Sequence, residues 1–241
     1  AKWDRNSYNL SFDTNGGIES YDERSYDYNS LLNDLPTPTK KGYTFLGWYN
    51  GENKVEEDYR LGAKDINLRA EWSINSYRLN YETDCDTTIE SKLLEFGSAI
   101  GELPILSKIG HTFINWVTSE GTEVDKDTTI SDSDMTVFAE WLVNKYTVSF
   151  DSDGGTPIES KEVNFGDKYG KLDKPTKHGY SFLGWYNGED VVDESTVMGD
   201  SNVNLTAKWS IADWYKFQQD YEDVANKENK DVDYDKLKEM L

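Results

Sequence analysis

The amino-acid sequence repeats itself three times, and this repetition constrains the fold more than any other feature. Residues 42–52, GYTFLGWYNGE, return almost unchanged at residues 179–189 as GYSFLGWYNGE, and a weaker copy, GHTFINWV, lies between them at residues 110–117. A second block ends in a tryptophan in each copy, at spacings of 69 and 68 residues: Trp72, Trp141 and Trp209. Blocks in one order at one period indicate tandem repeats. We therefore expect three successive copies of one unit.

Each copy has the sequence pattern of a small α+β unit. Apolar and polar residues alternate over residues 8–12 and 66–72, as they do in half-buried strands. Residues 15–17, Asn-Gly-Gly, tolerate the positive φ angles of a tight hairpin turn. The apolar residues between 28 and 35 have helix-like spacing and are followed by Pro36, which ends a helix. The predicted order is strand, hairpin, strand, short helix, strand, loop and strand, with the helix across one face of a small sheet.

The repeated blocks resemble the Listeria–Bacteroides repeat, the family that includes the B-repeat of listerial internalins. The resemblance rests on the motifs GYTFLGWY and GYSFLGWY, on the turns FDTNGG and FDSDGG at residues 12–17 and 150–155, and on the endings AEWS and AKWS. It covers residues 1 to about 210. The resemblance implies ubiquitin-like β-grasp units in an elongated tandem array on large, exported bacterial surface proteins, where they serve as stalk or adhesion segments. It brings no catalytic residues with it.

The repeat blocks also predict the domain boundaries. Residues 1–3, Ala-Lys-Trp, match residues 207–209, so the chain is expected to open with the last strand of an earlier repeat. Only four residues separate Trp72 from Tyr77, which leaves little room for a flexible linker. The predicted segments are the end of a preceding repeat, three repeats of which the second is divergent, and a helical tail: residues 1–6, 7–75, 76–144, 145–210 and 211–241.

The tail after the third repeat has a helical pattern. Asp213 is expected to cap a helix whose apolar residues form one stripe: Trp214, Phe217, Tyr221 and Val224. A second short stripe follows: Tyr234, Leu237 and Leu241. These stripes are expected either to dock on the third repeat or to begin a helical domain. The alternative is a site for a partner helix or for self-association.

The charge balance argues against several classes of partner. The chain has 46 acidic and 25 basic residues and a net charge of −21, whereas proteins that bind nucleic acids or anionic membranes depend on Lys and Arg. No apolar run approaches the roughly 20 residues of a membrane-spanning helix. Cys85 is the only cysteine, which excludes an internal disulfide and a cysteine-based zinc site. The partner that the resemblance implies is a protein or a glycan on the surface of a host or neighbouring cell.

Few residues are candidates for chemistry. His111 and His178 fall in different repeats, so neither is expected to serve in a catalytic or zinc site. Residues 151–155 have some similarity to a calcium loop but lack its ligand spacing, and a turn explains them. We expect no catalytic residue, no cofactor and no metal. The repeated tryptophans are expected in the cores, whereas Tyr49 and Tyr186, beside a polar loop, are expected to be exposed and are the candidates for ligand binding.

The second repeat departs from the common pattern. Residues 83–86, Thr-Asp-Cys-Asp, stand where the first repeat has its turn at residues 14–17, and Asn115 stands in place of Gly47. Replacing turn glycines that have positive φ is costly, so the second repeat is expected to be the least stable of the three. Cys85, at the tip of the loop, is expected to be an exposed thiol.

Two functions fit these features. In the first, the array is a spacer that projects a terminal binding domain beyond the cell envelope, and its short linkers make it a semi-rigid rod. In the second, it is an adhesin, one face of which binds a specific host receptor or glycan. The sequence favours the non-enzymatic spacer, and the resemblance implies export to the bacterial cell surface.

Overall fold

The computed structural model describes residues 4–227 of the chain. Two compact units are distinguished, Ala1–Leu106 with Ile114–Glu140, and Ser107–Phe113 with Trp141–Leu241. Three five-stranded sheets follow one another along the sequence. No helix among the described residues is long and apolar enough to cross a membrane. The second apolar stripe predicted in the tail lies outside the described residues: Tyr234, Leu237 and Leu241.

The three sheets share one strand order. The first consists of β1 (Ser7–Asp13), β2 (Arg24–Asp27), β3 (Tyr43–Asn50), β4 (Asn53–Lys54) and β5 (Ile66–Ile74). The second consists of β6 (Ser76–Glu82), β7 (Lys92–Glu95), β8 (His111–Val117), β9 (Glu123–Val124) and β10 (Met135–Val143). The third consists of β11 (Lys145–Asp151), β12 (Lys161–Asn164), β13 (Tyr180–Asn187), β14 (Asp190–Val192) and β15 (Val203–Ile211). The orders are β2-β1-β5-β3-β4, β7-β6-β10-β8-β9 and β12-β11-β15-β13-β14.

Each sheet is mixed, with a parallel pair at its centre. Strands β1 and β5 run parallel, as do β6 with β10 and β11 with β15. The outer pairs of the first sheet, β1 with β2, β3 with β4 and β3 with β5, are antiparallel. A parallel pair needs a crossover connection, which here is the chain from β2 through β3 and β4 to β5. The fold is therefore mostly β, and the described residues contain one helix, α1 (Asp213–Lys227).

The cores are built as the alternation predicts. Leu10 and Leu68 face the first core and are fully buried, because successive residues of a strand point to opposite faces. The tryptophan of the central block is 3% exposed or less in each sheet: Trp48, Trp116 and Trp185. Each of these indoles donates a hydrogen bond to a backbone carbonyl, of Pro36, Pro104 and Asp173 respectively. The prediction of core tryptophans is confirmed for these three rings. The tryptophans that end the repeats are only partly buried: Trp72, Trp141 and Trp209.

The short helix predicted within each repeat is wrong. Residues 28–35 are extended or turn, and the backbone amide of Leu32 bonds to the carbonyl of Tyr59 rather than to the carbonyl four residues before it. Leu31 pairs as an isolated bridge with Arg60, and Asn29 has a φ of 66°, outside the helical region. Leu32 is still buried. Residues 28–35 therefore form a non-helical segment that lies along residues 59–61 and covers the core.

The hairpin prediction is correct for the turn but wrong for the pairing. Asn15 and Gly16 both have positive φ, and the amide of Gly17 bonds to the carbonyl of Thr14. The amide of Ile18, however, bonds to Thr39, and β1 meets β2 only from Leu10 opposite Arg24 onwards. The turn therefore opens a longer connection instead of a tight hairpin.

The loop of the second repeat avoids the cost that its sequence predicts. Asp84 has positive φ, as Asn15 and Asp153 do at the same position, whereas Cys85 is not among the described residues with positive φ. The buried Thr83 hydroxyl donates to the carbonyl of Thr87 at 2.6 Å and closes the loop in another way. Cys85 is half-buried, so the expected exposed thiol is wrong.

The helical tail begins where predicted but does not dock along its predicted stripe. Helix α1 starts at Asp213, whose carboxylate lies favourably in the first turn. Trp214 is 55% exposed and Tyr221 is 39% exposed, so two members of the stripe face solvent. The side chain of Val224 lies outside the described residues. Trp214 contacts the third repeat at His178, but the ring that covers Gly179 is Tyr215, which the stripe does not include.

The second repeat has a different defect, two buried polar atoms. In the described part of the chain, neither Tyr81 Oη nor Asn115 Oδ1 has a hydrogen-bond partner. Tyr81 occupies the position of Phe12 in the first repeat, and Asn115 that of Gly47. A buried polar atom without a partner costs about 1–3 kcal/mol. Among the described residues, the third repeat has one such atom, Ser152 Oγ, so the two atoms of the second repeat are now the reason to expect it to be the least stable.

Replacing Tyr81 by Phe removes one of these atoms without changing the packing of the ring. We expect Tyr81→Phe to raise the free energy of unfolding by about 1 kcal/mol, as measured by urea denaturation. The matched control is Phe12→Tyr, which adds the same hydroxyl to the first repeat and is expected to lower stability. If Tyr81→Phe is destabilising, the hydroxyl has a partner and this account of the second repeat is wrong.

Candidate functional site

The two tyrosines predicted to bind ligand occupy equivalent positions in the first and third sheets. Tyr49 lies on β3 opposite Lys54 and Arg69, and Tyr186 lies on β13 with the Lys208 ammonium 4.2 Å from its ring centroid. Both rings are half-buried, less exposed than expected.

The histidines are packed among aromatic rings. His111 lies against Phe165 and Trp141, at centroid distances of 5.8 and 6.5 Å. His178 lies against Trp214 and Tyr215, at 5.4 and 5.6 Å. Among the described residues, no group of three or more His, Cys, Asp or Glu side chains could hold a metal ion. Both histidines thus lie where one repeat meets the next segment of the chain.

A single asparagine connects the first sheet to the second. Asn75 lies between β5 and β6, and its amide donates to the carbonyl of Gly42 at 2.9 Å. Its own carbonyl accepts from the amide of Phe96 at 2.9 Å. The side-chain oxygen accepts from the Thr44 hydroxyl at 2.6 Å, and the side-chain nitrogen donates to the Tyr77 hydroxyl at 3.4 Å. Every polar group of the linker residue is therefore held by the repeats on either side.

The ring of Phe96 lies directly on Gly42. A Cβ atom at Gly42 would be 2.1 Å from a ring carbon of Phe96, and Gly42 has a φ of 77°. Both facts require glycine. Phe96 also meets the ring of Tyr43 edge-on, at a centroid distance of 6.1 Å. We call this arrangement of glycine, ring and linker residue the joint.

The same joint recurs in the second compact unit. Asn144 lies between β10 and β11; its amide donates to Gly110, and its carbonyl accepts from the amide of Phe165, both at 2.9 Å. Its side chain bonds to Thr112 and Tyr146, at 2.6 and 3.5 Å. A Cβ at Gly110 would be 2.1 Å from a ring carbon of Phe165. The two joints are built from equivalent residues.

Helix α1 makes a third joint with a different element. The amide of Ala212 donates to the carbonyl of Gly179 at 2.9 Å, and the carbonyl of Ala212 accepts from the amide of Tyr215. A Cβ at Gly179 would lie 2.5 Å from the Tyr215 ring. Ala212 stands where the other joints have asparagine, so the side-chain bonds are missing here. The helix thus covers the glycine as a following repeat would.

A lysine two residues before the glycine ties the joint to the turn after the first strand. The Lys40 ammonium lies 4.4 Å from the centroid of Tyr43 and 5.7 Å from that of Trp72, and it donates to the carbonyl of Asn15. Lys177 makes the equivalent contacts with Tyr180, Trp209 and Asp153 in the third repeat. These cation–π contacts hold the glycine segment in place.

An ion pair crosses the first joint. Lys41 lies 3.3 Å from Asp132. Hydrogen bonds hold the pKa of Asp132 below its ordinary value. The bond from the Ser131 hydroxyl has the largest effect, and a backbone amide and the Lys41 ammonium add to it. Both partners are largely exposed, and exposed pairs contribute little to stability. The Phe96 ring and the hydrogen bonds of Asn75 are therefore expected to stabilise the joint more than this ion pair does.

The sequence contains a signal for the joint outside the three repeated blocks. Asparagine precedes the first strand of every repeat, at Asn6, Asn75 and Asn144, and Phe-Gly follows the second strand at residues 96–97 and 165–166. These positions recur with the repeat period. Their contact with a glycine in the preceding repeat could not be read from the period alone.

Substituting the glycine of the joint tests how much the close approach of the ring contributes. Gly42→Ala is expected to lower the free energy of unfolding by about 2 kcal/mol more than Gly121→Ala, because the ring must move as well as the backbone. Gly121 has nearly the same φ, 78°, with nothing within 4 Å of its Cβ position. Urea denaturation measures both, and equal losses in the two variants would show that the ring contact contributes nothing.

Comparisons with known proteins agree with this repeat pattern. The sequence profile of the Listeria–Bacteroides repeat domain matches residues 8–71, 77–140 and 146–208. A protein of Evansella cellulosilytica named as a putative membrane protein is 36% identical over 219 residues, covering 88% of this chain and 33% of that protein. Internalin H of Listeria monocytogenes serovar 1/2a is 29% identical over 158 residues, covering 63% of this chain and 28% of internalin H.

The chain thus spans about a third of the length of the curated relatives it matches. A solved structure of streptococcal high identity repeats in tandem, SHIRT domains 3-4 from a cell surface protein, aligns with 57% of this chain and 98% of that one, at 12% identity and a TM-score of 0.23. The three matches of the family profile account for most of the sequence, and the chain belongs to the Listeria–Bacteroides repeat family, with three repeats in tandem.

Proposed function

We propose that the chain is a non-enzymatic stalk segment of a bacterial cell-surface protein, in which the joints limit bending between neighbouring repeats. The observation that carries this proposal is the linker asparagine, which has both backbone groups and both side-chain groups bonded in each of two joints. A segment that projects a binding domain away from a cell must resist folding back on itself, and the joint meets that requirement.

The physical argument concerns the freedom of the linker. Flexible linkers are rich in Gly and Ser and behave as random coils, and domains joined without an extensive interface move relative to each other by default. Here one residue separates β5 from β6, and bending at Asn75 would break its bonds to Gly42 and Phe96. It would also lift the Phe96 ring from the glycine. The loss of these contacts would make a bent arrangement of the first two repeats less stable than the arrangement in which the joint is formed.

The finer assignments belong to the same proposal. The sheet order with its parallel central pair supports a β-grasp fold for each repeat, and the joints support boundaries at Asn75 and Asn144, giving repeats at residues 7–75, 76–144 and 145–210. Relatives named as a putative membrane protein and as internalin H support a surface location. The net charge of −21 would keep the array from adhering to other acidic surfaces.

Distance measurements between spin labels test the stalk directly. Cysteines at Glu52 and Glu120, which lie in exposed turns after β3 and β8, would carry the labels in a Cys85→Ser background. We expect one narrow distance distribution, which broadens when Phe96→Ala and Asn75→Gly remove the ring and the linker bonds of the first joint.

The control for this experiment is Leu93→Ala on β7, where the side chain is 64% exposed and takes no part in the joint. It is expected to leave the distribution unchanged. A broad distribution in the protein with an intact joint would contradict the stalk proposal.

The second candidate is an adhesin, and one observation favours it. The residue before Gly47 and its equivalents is a large aliphatic residue, 47–58% exposed, in every repeat: Leu46, Ile114 and Leu183. In the first and third sheets it lies at a break in the strand register, between Phe45 and Gly47 and between Phe182 and Gly184. Such a bulge directs a side chain outwards. Repeated exposed apolar residues are a candidate contact surface, with Tyr49 and Tyr186 nearby in sequence.

Binding assays separate the two candidates. The immobilised chain is tested against glycan panels and host surface proteins, beside a variant with Leu46, Ile114 and Leu183 all changed to Ser and one with Tyr49→Ala and Tyr186→Ala. The stalk proposal expects no saturable ligand. A saturable ligand lost in either variant would favour the adhesin.

A further inference from the structure

Tyr28 occupies in the first repeat the position that Phe96 and Phe165 occupy in the second and third. It directly follows β2, as those rings follow β7 and β12. Its amide donates to the carbonyl of Asn6 at 2.7 Å, as the amides of Phe96 and Phe165 donate to Asn75 and Asn144. Asn6 is followed by Ser-Tyr, as Asn75 is. Half of a joint is therefore already formed at this end of the first repeat.

The ring of this half-joint is exposed. Tyr28 is 52% exposed, whereas the rings of Phe96 and Phe165 lie on Gly42 and Gly110. The other joints are completed by a glycine with positive φ whose carbonyl accepts from the linker amide. The surface formed by Tyr28 and Asn6 thus fits a glycine segment of the same kind.

Within the described residues, the glycine segments of all three repeats are already covered. Phe96 lies on Gly42, Phe165 on Gly110 and Tyr215 on Gly179. A second copy of this chain would therefore have to break a joint of its own to offer one. For this reason, a second copy of the chain is not the favoured partner of the surface formed by Tyr28 and Asn6.

We propose that Tyr28 and Asn6 form a docking surface for the glycine segment of a Listeria–Bacteroides repeat when one precedes Asn6 in the same polypeptide. The proposal rests on the proposed stalk function, because it extends the same joint by one repeat. It gives the array a direction: each repeat presents a ring to the repeat before it and a glycine to the segment after it, which for the third repeat is α1.

An added repeat tests the proposal. A copy of residues 145–209 is joined directly to Asp4 of the full chain, which reproduces the spacing from Trp3 to Asn6 found in the present sequence. We expect the amide of Asn6 to become protected from hydrogen exchange by about tenfold or more, because it would now bond to the glycine carbonyl of the added repeat. The added repeat's own fold is checked by exchange at the amides of its central strands.

Two substitutions make the result specific to the ring. In the extended protein, Tyr28→Ala is expected to abolish the added protection of Asn6, and Tyr28→Phe, which installs the residue of the other two joints, is expected to keep it. In the original chain neither change is expected to alter exchange at Asn6. Equal exchange in the two variants of the extended protein, or no gain in protection on extension, would overturn the proposal.

A second added repeat guards against a copy that does not fold in its new place. A copy of residues 7–72 is joined to Asp4 in the same way, and a preceding repeat that stays unfolded in both versions would also contradict the proposal. This test can fail independently of the spin-label test of the stalk. If the distance distribution across the first joint is narrow but Asn6 stays unprotected in the extended protein, this inference alone is overturned.

Discussion

The connection between repeats depends on the approach of an aromatic ring to a glycine Cα. At Gly42 and Gly110 a single added carbon would lie 2.1 Å from the ring that covers the glycine, and the backbone there has positive φ. Because the ring rests on the glycine, the linker amide reaches the glycine carbonyl and the linker carbonyl reaches the amide of the ring residue. The side-chain hydrogen bonds of the linker asparagine then further stabilise this arrangement, which only glycine permits.

The sheets and cores could be predicted because their signals are local or periodic. Alternation placed Leu10 and Leu68 on the buried face, and the repeat period identified Trp48, Trp116 and Trp185 as core residues. The segment from residue 28 to 35 was mispredicted because its apolar spacing suits a helix and an extended covering segment equally well. Hydrogen bonds from residues 29–32 to residues 59–61 decide between them, and no local pattern reveals that pairing.

The candidate site was less predictable, for a related reason. Gly42 and Phe96 are each visible as recurring residues, but the contact joins one repeat to the next and so falls outside the unit that the period defines. Tyr215 has no counterpart in an aligned repeat, so its role at Gly179 could be found only from the structure. In the second repeat, the change at Cys85 predicted a strained turn, but the loop takes another path. The unpartnered hydroxyl of Tyr81 lies instead in an otherwise regular strand.

The third joint has a consequence for how such proteins change over evolution. It shows that the glycine segment requires only one aromatic ring and one backbone amide from the element after it, and a helix supplies both through Tyr215 and Ala212. Segments of unrelated architecture can therefore be exchanged behind a repeat without redesigning its core. Gain or loss of whole repeats by unequal recombination would create boundaries that are compatible from the start, because every repeat carries the same glycine segment.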